Sequence, residues 1–348
     1  MNDILKKIED SYQQNLPFVT YRKPNTEELL SFFQKDDSLN FVTDFTESGF
    51  IFAPFDDNEN TILIPTLKSD FFSEKIDLLE EKIVNQSFKN SLSKKEHHLN
   101  IIEKALEEIH NNNFQKVVVS RTEIVELPSV EILRIFKNLL IKYSTAMVSV
   151  WFHPKVGLWF GATPETLLKI KNNSFKTMSL AGTQKYAKDK KVVWKVKEIE
   201  EQQLVTNFIE RQLNAISSNL KIEEKETIKA GNLLHLRTKI SGELVSKKNR
   251  LKQLITALHP TPAVCGLPRD ITKDFILQHE NYQRKFYTGF LGELNLENKS
   301  SLFVNLRCME IKENKAIIYV GGGITKDSNP QNEWDETVAK SNTMKEIL

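Results

Sequence analysis

The stretch "SLFVNLRCMEIKENKAIIYVGGG", Ser301–Gly323, decides the class of fold. Two apolar, β-prone runs flank "KENK", a hairpin-sized turn with no room for a helical crossover, so the strands run antiparallel. Working outward, "KVVVSRTEIVEL", "AMVSVWF", "VGLWFGA" and "FKTMSLAG" read as further strands from Lys116 onward. Helical signals fall in separate blocks. One begins near Ser93, which has capping-box spacing to Glu96 ahead of a stripe of Leu99, Ile102, Leu106 and Ile109; "NNNF" ends it. A second runs from about Lys190 to Leu213. The last has Asn329 as N-cap and Pro330 in its first turn. Strands following strands, with helices set apart, predict an α+β fold with mainly antiparallel sheets.

The first 90 residues read as short strands in polar loops. "FVTDF" and "GFIFAPF" are aromatic and β-prone, and the proline in "TILIPTL" predicts an edge strand. The polar stretch from Asn85 to Lys95 suggests a connection between subdomains. It divides a β-rich part, residues 1–92, from residues 93–348, where the chemistry-bearing residues lie. Across 348 residues there are 48 basic and 46 acidic side chains, so no global field points to nucleic acid or an anionic membrane. Cys265 and Cys308 sit among apolar neighbours and read as core thiols in a reducing compartment. No apolar run approaches the roughly 20 residues a membrane span needs, and "MNDILKKIEDSYQQ" is too polar for a secretory signal. A soluble cytoplasmic protein is expected.

Glu198 and Glu201 are three apart in "KVKEIEEQQLV", and Glu333 and Glu336 repeat that spacing in "NEWDETVAK". Facing each other, two such helices would offer four carboxylates to Mg2+, which prefers oxygen ligands. Either pair alone equally suits a solvated helix face, a complement to the helix dipole, or ion pairs such as Lys197 with Glu201 and Glu336 with Lys340. "YVGGGIT" matches neither the dinucleotide fingerprint nor the P-loop; it suits a flexible turn or an anion-binding nest. Arg307, by alternation, shares a face with Phe303, Asn305 and Met309 and needs an anionic partner, either a buried glutamate or a substrate carboxylate. Lys116 opens a buried-looking strand and either snorkels or, desolvated, serves as a base. Glu165 in "GATPETLL" reads as a residue at a strand-to-helix turn, either a cap or a general acid raised by its apolar setting. "ALHPTPAVCGLPR" is a rigid loop around His259 that walls a pocket or turns a corner.

In order, "KVVVSR", "GATPET", "LAGT", "KEIEEQQLV", "HLRTKISG", "ALHPTPAVCGLPR", "RKFYTGFLGEL", "FVNLRCMEI", "YVGGGIT" and "NEWDETVAK" resemble the chorismate-utilising enzymes. These include isochorismate, salicylate, anthranilate and aminodeoxychorismate synthases. The resemblance runs from Lys116 to the C-terminus. It implies two large antiparallel sheets in a sandwich of two subdomains, helices outside and the active site between them.

It also implies roles. Lys116 activates water and Glu165 protonates the departing hydroxyl. Glu201 and Glu336 bind Mg2+ directly, with Glu198 and Glu333 holding its waters. Arg307 and Tyr287 grip the pyruvyl carboxylate, helped by Gly321, Gly322 and Gly323, while Lys340 and the metal hold the ring carboxylate. Gly182, Thr183, His235 and His259 line the pocket.

Within the family, lysine at 116 and alanine at 181 favour isochorismate or salicylate synthases over those making anthranilate or aminodeoxychorismate. The short chain and "LAGT" then favour isochorismate synthase, a monomer acting on chorismate without an amidotransferase subunit, in menaquinone or siderophore biosynthesis. One departure is Glu200-Glu201-Gln202, where members of this type often have His-Glu-His. The ligand is kept and its surroundings differ.

Overall fold

Two large sheets carry the chain in the computed structural model, which describes residues 3–76, 92–186, 192–230, 233–245 and 250–348. Every strand pairing among the described residues is antiparallel, and the fold is α+β. The centre of the first sheet holds Lys116–Glu126, Lys315–Ile324, Cys308–Lys312, Gly157–Thr163 and Met147–His153 side by side. The centre of the second holds Leu233–Leu244, Ser174–Lys185, Thr166–Lys171, Lys299–Val304 and Phe290–Leu296. Residues 3–76 add strands to both, Phe18–Arg22, Glu28–Gln34 and Ser69–Lys75 to the first and Gly49–Ala53, Ile62–Pro65 and Asn40–Phe41 to the second.

The apolar runs are long because both faces of each sheet are covered. Met147–His153 is buried at every position. Val148, Val150 and Phe152 lie against the helices Asp3–Gln13 and Ile132–Lys142, while Met147 and Trp151 face the opposite sheet. That sheet-on-sheet layer is aromatic: Phe52 stacks on Phe286 at 4.2 Å and Trp159 on Tyr319 at 5.3 Å between ring centroids. Each such buried ring contributes about 2 kcal/mol by removal from water. The helices Val196–Asn214 and Arg250–Leu258 cover the outer face of the second sheet through Val205, Ile209 and Leu254. Leu92–His110 and Arg269–His279 pack on Val117 and Val119 at the edge of the first.

Two expectations fail together, for one reason. "FVNLRCMEI" is not one strand: Lys299–Val304 belongs to the second sheet and Cys308–Lys312 to the first. Asn305–Arg307 carries the chain across, with Arg307 at φ +47°, so the alternation that grouped it with Phe303, Asn305 and Met309 breaks there. "GATPET" makes the same passage in reverse, from Gly157–Thr163 to Thr166–Lys171, so Glu165 sits between two strands and not before a helix. The crossings lie side by side: Ala162 N donates to Arg307 O and Val304 N to Glu165 O, each at 3.0 Å. A crossing of two or three residues between β-prone runs carries no local sign of the change of sheet.

The glycines of "YVGGGIT" are also neither a turn nor a nest. The strand runs through them to Ile324, and Gly321–Gly323 pair with Ser120–Val118. Ile62–Pro65 is not at the edge, since Asn40–Phe41 pairs outside it, and the rest of "FVTDF" is not strand. The long helix starts at Val196; Lys190 lies outside the described residues. Ser93 lies inside a helix that begins at Leu92, and of the expected connection residues 85–91 lie outside the described residues. Asp3–Gln13, a helix with Ile4, Leu5 and Ile8 buried, has no counterpart in the sequence reading.

Candidate active site

The strand crossings open onto a cavity between the two sheets. Its wall takes Glu165 and Arg307 from the crossings, Gly182, Thr183 and His235 from the second sheet, and Gly321, Gly322 and Gly323 from the first. Tyr287 closes one side, and Glu201, Glu336 and Lys340 descend from the two acidic helices. Lys116, Glu198, Glu333 and His259 do not line it.

On the crossing side the charges are unpaired. Glu165 has no ion-pair partner among the described residues. Burial pushes its carboxyl up to about 8, and the more distant Lys116 and Lys340 oppose that only in part. It therefore carries a proton at neutral pH. Arg307 donates to Ala230 O at 3.0 Å and to His235 Nε2 at 2.7 Å. Burial lowers it to about 10, which leaves it charged at neutral pH, and no carboxylate meets it among the described residues. His235 is driven well below its usual range by burial, then by Arg307 and Lys340. Burial raises the Tyr287 hydroxyl, which stays protonated.

On the helix side every carboxylate has a cation or a backbone donor. Glu201 Oε1 meets Lys116 Nζ at 2.9 Å, and the Lys116 side chain is fully buried. Burial alone would raise Glu201, but Lys116, with Lys197 and Lys340 adding, outweighs it and holds the carboxyl below its usual range. A side chain at 323 would collide with Glu201 Oε1 and come within 3.1 Å of Lys116 Cε, so glycine there makes room for the pair. Glu333 pairs with Lys197 and Glu336 with Lys340, the latter at 2.7 Å. Lys340 also donates to Gly321 O at 3.0 Å. Glu333 is raised by burial and then by the neighbouring charge of Glu336. Glu198 turns away: its Oε2 accepts from Lys195 N at 2.9 Å and caps its own helix.

Among the described residues no three His, Cys, Asp or Glu side chains converge to hold a metal. The donor type nonetheless fits a hard cation. Glu333 and Glu336 both hang near Gly322, and the Lys197 ammonium feels Glu333, Glu201 and Glu336 together, a cation among three carboxylates.

A family model described as chorismate binding enzyme matches residues 57–348. The chain belongs to this family. Among its relatives, the salicylate biosynthesis isochorismate synthase of Pseudomonas aeruginosa is 31% identical over 253 residues, 70% of this chain and 53% of its own length. The chain thus spans about half the length of the curated relatives it matches. Two solved structures share the fold. A Bacillus anthracis chain provisionally described as a 2,3-dihydroxybenzoate-specific isochorismate synthase superposes with TM-score 0.83 at 21% identity, covering 99% of both chains. The menaquinone-specific isochorismate synthase MenF of Escherichia coli gives 0.80 at 21%, covering 95% of this chain and 88% of that one. Within the family, this chain is most like the isochorismate synthases.

For a chorismate-binding enzyme, His259 lies in an unexpected place. Its ring packs edge-on against Phe290 at 4.9 Å, and burial lowers it to about 4. The proline-rich loop holds Ala263 and Val264, not His259, against the cavity. Lys197 was the residue undervalued by the sequence. It reads as a surface partner of Glu201, whereas it reaches across to Glu333 on the other helix. Tyr319, Thr288 and Leu306 also line the cavity without any signal beyond β-propensity or loop position. Both cysteines are buried; burial pushes Cys265 up to about 11, and Cys308 higher still, as suits core thiols. No described helix is long and apolar enough to cross a membrane.

Proposed function

We propose that this chain is an isochorismate synthase, converting chorismate to isochorismate with Mg2+. The observation that carries the proposal is a buried carboxyl with no counter-ion among the described residues, Glu165, whose setting favours its protonated form, in the same cavity as Arg307, which meets no carboxylate there. An acid that keeps its proton until a leaving hydroxyl needs it is the requirement of this reaction.

In this scheme Lys116 Nζ removes a proton from water as the oxygen bonds to the ring. The ring double bonds shift, and Glu165 gives its proton to the departing hydroxyl. One water enters and one leaves, so the product is an isomer. Lys116 acts as a base only in its neutral form, and Glu201 Oε1, 2.9 Å away, is the carboxylate that faces it. Arg307, with the Tyr287 hydroxyl, holds one substrate carboxylate. Lys340 faces the other. Glu201, Glu333 and Glu336 would hold Mg2+ once their lysines turn aside, and Glu198 would join only by releasing Lys195 N. Held there, the cation would supply positive charge for the second substrate carboxylate. Lys116 and Ala181 support water as nucleophile, in place of ammonia or a covalent lysine.

Purified protein with chorismate and Mg2+, followed by chromatography, tests this. Isochorismate is expected, and chelation of the metal should stop its formation. Salicylate with pyruvate, or anthranilate formed only with ammonia, would reassign the enzyme; unchanged chorismate bound tightly would make it a non-catalytic relative. Relatives serve salicylate, 2,3-dihydroxybenzoate and menaquinone formation by their names, and a menaquinone role is our choice for this chain.

A further inference from the structure

We propose that His235 is a positioning residue. It acts as a neutral strut, protonated on Nδ1, that aims the Arg307 guanidinium into the cavity, and it exchanges no proton with substrate. The inference rests on the functional reading above for the identity of the anion that Arg307 meets.

The strut begins with a fault in the second sheet. Ser174–Lys185 and Leu233–Leu244 pair in register as far as Ala181 with Leu236, slip by one residue, and resume at Thr183 with His235. The extra residue is Gly182, at φ +74°, where an added side chain would press on the Glu198 backbone. Such a bulge takes one residue out of the ladder and turns its carbonyl aside. The Gly182 carbonyl lies 3.0 Å from His235 Nδ1. A carbonyl only accepts, so Nδ1 carries the hydrogen. Nε2 lies 2.7 Å from Arg307 Nη2, and a guanidinium only donates, so Nε2 offers its lone pair. Partners of fixed sense on both nitrogens leave one state of the ring: neutral, with the hydrogen on Nδ1. Thr183 Oγ1, 3.4 Å from Nδ1, is a further polar neighbour among the described residues and changes neither assignment.

The chemistry of the strut explains why the residue is a histidine. A carboxylate would orient Arg307 as firmly and cancel its charge. A neutral acceptor steers the cation and leaves the charge for an incoming anion. The second acceptor, Ala230 O at 3.0 Å, is neutral too. Arg307 stands on a crossing between the sheets with a left-handed backbone, so its head needs bracing from the second sheet, and both acceptors come from there.

The test has two arms on the full chain. Nitrogen NMR on histidine-labelled protein at neutral pH should show His235 with Nδ1 protonated and Nε2 bare. A hydrogen on Nε2, or an imidazolium, would overturn the strut whatever the substrate. In steady-state assays with chorismate, His235→Ala should raise KM about tenfold, the size of one charge-assisted hydrogen bond, with kcat nearly kept. His235→Gln, whose amide can accept from Arg307 and donate to Gly182 O, should recover most of that loss. A collapse of kcat at unchanged KM, or a folded His235→Gln no better than His235→Ala, would overturn the proposal. Absence of chorismate binding to the parent chain in calorimetry would instead overturn the functional reading, with the NMR arm still deciding the strut.

Discussion

Glu165 and Glu201 face one cavity, and both are largely withdrawn from water, yet their carboxyl groups are driven in opposite directions. Glu165 stands on a strand crossing with no counter-ion among the described residues, and burial raises it to about 8. Glu201 stands on a helix against Lys116, with Lys197 and Lys340 near, and is held down. Burial acts on both, and Lys116 and Lys340 reach both; direct contact with Lys116 at 2.9 Å is what turns Glu201 downward. The cavity is thus divided into a side that keeps protons and free charge and a side where carboxylates are already satisfied by lysines. In the proposed function, general-acid chemistry falls to the first side and exchange of lysines for a divalent ion to the second.

The largest expected effect breaks the first side. Glu165→Gln should lower kcat by about 10³-fold while chorismate still binds in calorimetry, since an amide fills the space without a proton to give. Turnover near that of the parent would remove Glu165 from the chemistry. Lys116→Ala comes next, with a loss of about 10²-fold or more in turnover and Mg2+-dependent chorismate binding retained; unimpaired hydration would dismiss Lys116 as the base.

The second side is probed by stability. Glu201→Gln leaves the Lys116 charge buried without its partner, so denaturant unfolding at neutral pH should show a loss of about 3 kcal/mol. No loss would mean that Lys116 is neutral or finds another acceptor.

A last experiment contrasts the two carboxyls through pH. Glu165 rises from 4.5 to about 8 on folding, so the folded chain binds a proton there that the unfolded chain releases. The stability this contributes is full below 4.5 and is lost as pH rises through about 8. Glu201 has the opposite sign: its contribution is full above its unfolded value and is lost as pH falls through its lowered folded one. Denaturation of Glu165→Gln at about pH 5 and about pH 9 should therefore show the variant losing less stability than the parent over that interval. Parallel curves for the two proteins would show that Glu165 titrates in its ordinary range.

The sequence by itself determined the antiparallel α+β class and the order of the family's motifs, and through that resemblance about half of the residues on the cavity wall. Apolar periodicity, hairpin-sized turns and residue spacing are local properties, legible along the chain. Only the tertiary structure decided that "GATPET" and "FVNLRCMEI" each change sheets: the first crossing reads as a turn into a helix and the second as uninterrupted strand, because neither local pattern tells which sheet the chain enters next. It likewise turned Glu198 onto its own helix and moved His259 out of the cavity. Above all it chose partners, since Lys116 meets Glu201 and Lys197 meets Glu333 across a separation of 136 residues for the latter pair. Spacing can bring carboxylates to one helix face; which of them keeps a proton depends on cations delivered from elsewhere in the chain.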